Sequence, residues 1–282
     1  MKVACVIVTK DRPDDLRRCL TSIQSQTVPC ACVVVDGSTT AQTVVAQFGY
    51  QYYQSAPGIT KQRNVARTHI SNDTEVVIYC DDDTVLPPDT VVNVVAAFAD
   101  GSVSGVTGQV IGEPVFGLAK KIIGTITGTY TTKPYGLSCG LFNIINPIKT
   151  KVSAQWLPGA FMCYRWSAVK TLAFDEWFSG YSLGEDFDFS YRVGQHGKLV
   201  ADPKIVVEHH HSALNRNWEQ FGYMRIKNRQ YLRLKYWPKQ PYYWLGMWWA
   251  NLWLVALNSL RGLCSQRYRA ELKGLLRGIL TK

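Results

Sequence analysis

The chain is poor in the signatures that commonly assign a function. Its eight cysteines include no CxxC pair and no zinc-ligand spacing, which argues against a thiol redox centre or a zinc module. Several of them, such as Cys5 and Cys80, lie inside apolar runs, where a reduced cysteine behaves as a small hydrophobe. The N-terminus shows no charged n-region, apolar h-region and cleavage site, so a cytosolic, thiol-reducing setting is the expectation. No glycine-rich GxGxxG follows Val8; Thr9-Lys10-Asp11-Arg12-Pro13 stands there instead. A Rossmann dinucleotide site and a P-loop are both disfavoured, and with them the transfer of a nucleotidyl group. No tract is low in complexity and no repeat recurs at a fixed period, so solenoids and disordered arrays are excluded.

Acidic residues are scarce in one region only. Residues 213–282 hold 13 Lys or Arg against 2 Asp or Glu, whereas residues 1–212 hold 18 against 19. The formal net charge of +10 is therefore −1 from the body of the chain and +11 from its tail. The tail also carries six of the nine tryptophans. A change that sharp marks a boundary near residues 212–220.

What is present reads as a large globular domain with an appendage, since 46% of the 282 residues are hydrophobic. Residues 3–8 form a continuous apolar run rich in β-branched side chains, and residues 14–24 show helical spacing through Leu16, Cys19, Leu20 and Ile23. A second run at 32–35 stops at Asp36-Gly37-Ser38; residues 60–70 read as a helix, and a third run at 76–80 follows. This alternation of buried strands and helices predicts an α/β fold with a parallel, doubly wound sheet. Thr9, Asp36 and Asp81 then line one edge, at the carboxyl ends of the strands, where such sheets bind ligands.

The third run ends in Asp81-Asp82-Asp83. Three adjacent carboxylates repel, and an oxygen-rich cluster of this kind suits a hard divalent cation such as Mg²⁺ or Mn²⁺; the competing reading is a solvated turn before Pro87-Pro88. Asp36 can accept hydrogen bonds from a ribose or base edge, or serve as a turn residue in Asp-Gly-Ser. Gly184-Glu185-Asp186-Phe187-Asp188 reads by itself as an acidic helix start favoured by the helix dipole. Glu208-His209-His210-His211 ends a β-branched run, so that His209 and His211 share a face and His210 points elsewhere.

Thr9 with Asp36, the Asp81-Asp82-Asp83 triplet, Trp156-Leu157-Pro158-Gly159-Ala160 and Gly184-Glu185-Asp186-Phe187-Asp188, in that order, resemble the motifs of the family 2 glycosyltransferases. The resemblance covers roughly residues 1–215. It implies the GT-A fold, a Rossmann-like α/β domain with a mostly parallel central sheet, here followed by a helical, basic, Trp-rich C-terminal extension. It divides the chain into a nucleotide-binding half at 1–110, an acceptor-binding half at 111–215 and a tail at 216–282. The implied activity is inverting transfer of a sugar from a nucleotide-diphosphate sugar to a hydroxyl of a sugar or lipid-linked sugar acceptor, in cell-surface polysaccharide or glycolipid synthesis. The alternative is an inactive, membrane-tethered nucleotide-sugar or carbohydrate-binding protein of the same fold.

The resemblance also implies roles. Thr9 and Asp36 hold the nucleotide, with Lys61 and Arg63 at a helix start reaching its phosphates and Asp82 the intervening residue of the acidic motif. Asp83 ligates Mn²⁺ or Mg²⁺, Asp81 binds near the ribose or the metal, and His209 or His211 completes the set. Asp186 is the base that removes the acceptor proton, and Glu185 orients the acceptor or the preceding loop; Asp188 reads equally as a partner of Arg192. Trp156, Gly159 and Ala160 form the floor where donor sugar and acceptor meet. Residues 112–151, glycine-bearing and without a clear period, read as an insertion that could cover the acceptor.

In the tail, residues 218–236 place Arg225, Arg229 and Arg233 at i, i+4 and i+8, a helix stripe able to meet phosphates. Residues 242–260 carry no charge over 19 positions but contain four tryptophans. That segment passes the length test for a membrane span, while its tryptophans suit the interface; in-plane association, a packing or dimer helix and a true span are the three readings. An anionic membrane surface on the cytoplasmic face is the expected partner, and a homo-oligomer the alternative use of the helix. Nucleic acid is disfavoured because the basic residues are interleaved with a long hydrophobic segment.

Overall fold

The computed structural model describes residues 1–180, 182–211 and 217–281. In chain order the elements are β1 (Val3–Thr9), α1 (Pro13–Gln24), β2 (Cys30–Asp36), α2 (Gln42–Ala46), β3 (Gln51–Gln54), α3 (Ile59–Arg67), β4 (Val76–Asp81), β5 (Thr84–Val85), α4 (Thr90–Ala97) and β6 (Val103–Ile111). They continue with α5 (Leu118–Ile126), β7 (Gly136–Leu137), β8 (Asn143–Ile144), β9 (Val152–Ser153), β10 (Phe161–Arg165), α6 (Trp166–Val169), α7 (Glu185–Gly194) and β11 (Lys198–His209). Three helices complete the chain: α8 (Trp218–Tyr236), α9 (Pro241–Gly262) and α10 (Gln266–Leu280).

The chain forms two compact units, one of Met1–Pro114 with Pro147–Ser212, the other of Val115–Asn146 with Ala213–Lys282. The first unit is built on one sheet of order β3-β2-β1-β4-β10-β6-β11-β5, with β9 added to β11. The β1, β2, β3 and β4 strands pair in parallel, as the uninterrupted apolar runs predict. Beyond them β10 runs antiparallel between β4 and β6, and β6 pairs in parallel with β11. Every residue of β1 is buried. Leu16, Cys19, Leu20 and Ile23, the apolar stripe of α1, are buried in the same core as Cys5, Ile7, Val34 and Ile78. Another aromatic set, Tyr79, Tyr164, Phe174 and Phe189, packs edge-on and stacked around β4 and β10. All eight cysteines are free thiols.

Two topological details position the site. The register sets Thr9 opposite Asp36 and Val8 opposite Asp81, so the polar strand ends line the carboxyl edge together. After β4 the chain reverses, and β5 pairs antiparallel with the end of β11, with His209 opposite Thr84. The amide of His210 donates to the Asp83 carbonyl at 2.9 Å. Residues more than a hundred positions apart are thereby fixed side by side.

The second unit departs from the expected division. Val115–Asn146 groups with the C-terminal helices, where the sequence reading assigned it to the acceptor half; the boundary expected at 215/216 lies outside the described residues. The reason is close backbone packing. The Gly140 carbonyl accepts from Arg229 Nη1 at 2.8 Å, and a Cβ at Gly140 would stand 2.7 Å from that of Ala250. Arg229 also lies over the Phe142 ring at 4.2 Å, and Trp249 Nε1 donates to the Ile126 carbonyl at 2.7 Å. The expected arginine stripe is consequently turned inward: Arg229 is buried, and Arg225 pairs with buried Glu271 of α10. No helix among the described residues is long and apolar enough to cross a membrane; α9 has 22 residues, but its tryptophans, tyrosines and asparagines lower its hydropathy.

Candidate active site

The acidic triplet does not act as one solvated turn. Its carboxylates are divided between two arginines, Arg12 beside Asp82 and Asp83 and Arg63 beside Asp81. Asp82 is buried, accepting from Thr9 Oγ1 at 2.7 Å and from Arg12 Nη1 at 3.0 Å. Asp83, also buried, lies 3.4 Å from Arg12 Nη1 and 3.1 Å from His209 Nε2. Asp81 accepts from Arg63 Nη2 at 3.3 Å. Burial disfavours the charged form of all such groups: it pushes Asp82 up to about 7 against the opposing pull of Thr9 and Arg12, and it raises Asp81 as well.

His209 sits between two carboxylates, Nε2 toward Asp83 and Nδ1 2.8 Å from Glu113 Oε1. Burial works against its charged form, yet Asp83, Glu113 and the nearby Asp81 outweigh it and push the imidazole up to about 10. A proton so held marks a place where positive charge is stabilised, and a metal ion binds where such protons are released. Asp81, Asp83 and His209 each offer a ligand atom within 4.8 Å of the others, as do Glu113, His209 and His211. Two carboxylate oxygens and an imidazole nitrogen form a donor set suited to Mn²⁺. His210, as the alternation of a strand requires, points away, 3.1 Å from Glu208 and half exposed.

The second acidic centre begins α7. Gly184, at φ 101°, makes the left-handed turn that starts the helix, and the two acids after it diverge. Glu185 is buried and accepts from Arg63 Nη1 at 3.1 Å. Asp186 is held at both oxygens, by the Gly159 amide at 3.1 Å and its own neighbour Phe187 at 2.7 Å. Burial raises both carboxyls above their ordinary values, against Arg63 for Glu185 and against the two amides for Asp186. Asp188 is fully buried and pairs with Arg192 at 2.9 Å, so its part is structural.

Arg63 joins the two acidic centres. It is 2% exposed and touches Asp81, Glu185 and, at 3.1 Å, the Gly159 carbonyl. That position differs from the phosphate-reaching role expected of it; Lys61, its neighbour on α3, is the exposed cation. Gly159 lies in the same knot, where a Cβ would meet Glu185 Oε1 at 3.3 Å and Arg63 Nη2 at 3.5 Å. The Ala160 carbonyl accepts from the Asp81 amide at 3.2 Å. Asp36 and Trp156 also differ from expectation. Asp36 is fully buried and accepts from Ser38, Ala41 and Tyr52, which makes it the organiser of the loop after β2 and leaves no face for a ribose. Trp156, 3% exposed, has no open ring face for a sugar.

Three residues of the site carry no motif. Arg12, at the N-cap position of α1, clamps Asp82 and Asp83. Gln62 is buried and donates to the carbonyls of Thr9 and Val35 at 2.8 and 2.9 Å, tying the ends of β1 and β2 to α3. Glu113 holds His209 and lies 3.3 Å from His211 Nε2. It is the single acid in residues 101–150, a signal that sequence reading could have used.

A mostly parallel sheet with metal-type ligands at its carboxyl edge and a carboxylate beyond an antiparallel strand defines a GT-A glycosyltransferase architecture. Residues 76–266 match the family model described as glycosyl transferase family group 2, and residues 4–147 match glycosyl transferase family 2. The chain therefore belongs to glycosyltransferase family 2. Among curated proteins no sequence matches it. Among solved structures it resembles a mannosyltransferase from Pyrobaculum calidifontis in complex with GDP-Man and Mn²⁺, with a TM-score of 0.61 and 14% identity over 99% of this chain and 87% of that one. S. aureus TarS aligns with a TM-score of 0.55 and 15% identity over 96% of this chain, which spans 50% of that chain. The shorter TarS 1–349 aligns at 17% identity and TM-score 0.55, over 99% of this chain and 89% of that one. At these identities the likeness shows the fold alone.

Proposed function

We propose that the protein is a metal-dependent, inverting glycosyltransferase that moves a sugar from a nucleotide-diphosphate donor to a hydroxyl acceptor. The observation that carries the reading is the Arg63 bridge: one buried guanidinium links Asp81, beside the metal-type ligands, to Gly159, whose amide holds Asp186. A cation site and a base are thereby locked to one another, as a single-displacement reaction needs. Asp81, Asp83 and His209 would hold Mn²⁺ or Mg²⁺, which when bound neutralises the charge developing on the departing diphosphate. The Mn²⁺ and GDP-Man of the archaeal neighbour favour a donor of that class.

Asp186 then removes the proton of the acceptor hydroxyl while that oxygen forms a bond to the anomeric carbon and the carbon–diphosphate oxygen bond breaks on the opposite face. Lys61 is free to reach the donor phosphates, and Thr9 with Asp82 shapes the nucleotide side. Glu185, neutralised by Arg63, fixes the loop that carries Asp186. An acceptor used in cell-surface polysaccharide or glycolipid synthesis, sugar-bearing or lipid-linked, fits this chemistry.

The test is a pair of variants. In Asp186→Asn, kcat is expected to fall by about 10²–10⁴-fold while donor binding, read by calorimetry, is retained. In the native enzyme kcat/KM should decline as pH falls through a value above the ordinary carboxylate range, because burial raises Asp186 and a protonated base is inactive. In Asp83→Ala, nucleotide-diphosphate binding should lose its dependence on Mn²⁺. Full turnover in Asp186→Asn refutes the base, and retention of configuration in the product refutes inversion.

A further inference from the structure

The second unit presents an apolar face to solvent. Helix α9 is uncharged from Tyr242 to Leu260: Met247, Ala250 and Leu254 are buried, but Leu245, Trp248 and Leu252 on the opposite side are 58%, 54% and 60% exposed. A helix resting in water on one face ordinarily carries charge there, and α9 has none between Tyr242 and Leu260. Helix α5 repeats the pattern, with Leu118, Ile122 and Ile126 at i, i+4 and i+8 each more than half exposed. The two helices join where the Trp249 indole, itself 45% exposed, donates to the last-turn carbonyl of Ile126 at 2.7 Å. That hydrogen bond links the C-terminal end of α5 to the middle of α9.

Charge distinguishes the possible occupants. Lys120 on α5, Lys239 just before α9 and Arg261 in its last turn are all exposed, and residues 213–282 as a whole carry 13 Lys or Arg against 2 Asp or Glu. The two acids of the C-terminal segment, Glu219 and Glu271, are engaged elsewhere, with Arg277 and Arg225. A two-fold dimer through this face would bring two such strongly basic segments together. A surface of negative headgroups would be attracted to such a segment. Tryptophan and tyrosine, four and two of which lie in α9, favour the boundary between headgroups and acyl chains.

We infer that the joined faces of α5 and α9 dock in the plane of a bilayer bearing anionic lipids. The isoleucines, leucines and tryptophans enter the headgroup–acyl boundary, and the excess of lysine and arginine in residues 213–282 supplies the attraction to the phosphates. The docking platform therefore draws on the internal segment 115–146 as well as on the tail. It stands apart from the transfer chemistry: neither Asp186 nor the cation ligands take part, so failure of one reading leaves the other intact.

The full chain is sedimented with phosphatidylcholine vesicles with and without phosphatidylglycerol. Binding to the anionic vesicles, weakened by salt and accompanied by a blue shift of tryptophan emission, is the expected result. Leu245→Ser with Leu252→Ser, and separately Ile122→Ser with Ile126→Ser, should each lower the partition coefficient about tenfold or more, since several buried CH₂ groups are lost. All four positions are exposed, so the variants should keep the native fold, checked by circular dichroism. Native-like binding of the α5 variant overturns the joint platform, and equal binding to neutral vesicles overturns the anionic requirement. Absence of binding, or a stable dimer in sedimentation velocity that the same variants dissociate, overturns the membrane assignment.

Discussion

At the residue scale the site is governed by a few buried charges whose partners are specific. Arg63 compensates two acids, Asp81 and Glu185, in a setting where an unpaired charge is costly. Arg63→Met should therefore destabilise the protein by about 3–5 kcal/mol, and adding Glu185→Gln should recover part of that loss; urea unfolding of the single and double variants measures both. In the proposed cation site Glu113 would act through His209. Accepting at Nδ1, it leaves Nε2 directed at the Asp83 side, the arrangement by which a carboxylate fixes the tautomer of a ligating imidazole. Glu113→Gln is expected to weaken Mn²⁺ binding about 10–100-fold, as read by calorimetric titration in the presence of a nucleoside diphosphate.

At the element scale, helix α8 rests on α10 through glycine. A Cβ at Gly222 would stand 2.2 Å from the Glu271 carbonyl oxygen, and one at Gly274 would stand 1.9 Å from that of Glu219. Both obstacles are backbone, so the helices themselves would have to part. Gly274→Ala should cost about 1–3 kcal/mol through overpacking, against a gain in helix propensity of at most about 1 kcal/mol. Gly262→Ala, whose Cβ finds only ordinary contact at 3.4 Å, should be neutral or stabilising. Comparing the two denaturation midpoints by tryptophan fluorescence isolates the contact from the propensity.

The elements that sequence revealed are those whose signal is local. The apolar runs at Val3, Cys32 and Val76, the stripe of α1 and the helix α8 could be read directly, because burial on both faces or along one stripe is written into consecutive residues. The short β3 was hidden, and the run ending at Arg165 reads as a strand without disclosing that β10 is antiparallel, since strand direction is decided by partners far away in the chain. The acids Asp81, Asp83 and Asp186 stood out as motifs, whereas Arg12 and Glu113 did not: their importance comes from β5 and β11 bringing distant residues together. Arg63 and Asp36 were visible as residues but not as buried ones. No pattern of neighbours discloses that Asp36 is consumed by Ser38, Ala41 and Tyr52.

At the scale of the whole molecule, each unit is assembled from two separated stretches of chain. Removing α9 and α10 would thus do more than delete a tail, because Gly140 loses Ala250, Phe142 loses Leu254 and Leu275 from the cluster it packs against, and the Ile126 carbonyl loses Trp249. A chain ending before Pro241 should be cleaved by protease within residues 115–146 at sites protected in the full protein, and mass spectrometry of the fragments locates them.

That discontinuity also sets a timetable for synthesis. Residues 115–146 leave the ribosome nearly a hundred residues ahead of α9, an interval of about 5–20 s at ordinary elongation rates. Throughout it Gly140, Phe142 and the Ile126 carbonyl lack Ala250, Arg229 and Trp249, and the nascent chain carries a segment that cannot yet be put away. A cell making this enzyme therefore has reason to shelter that segment with a chaperone, or to translate the message close to the bilayer on which we propose that it docks.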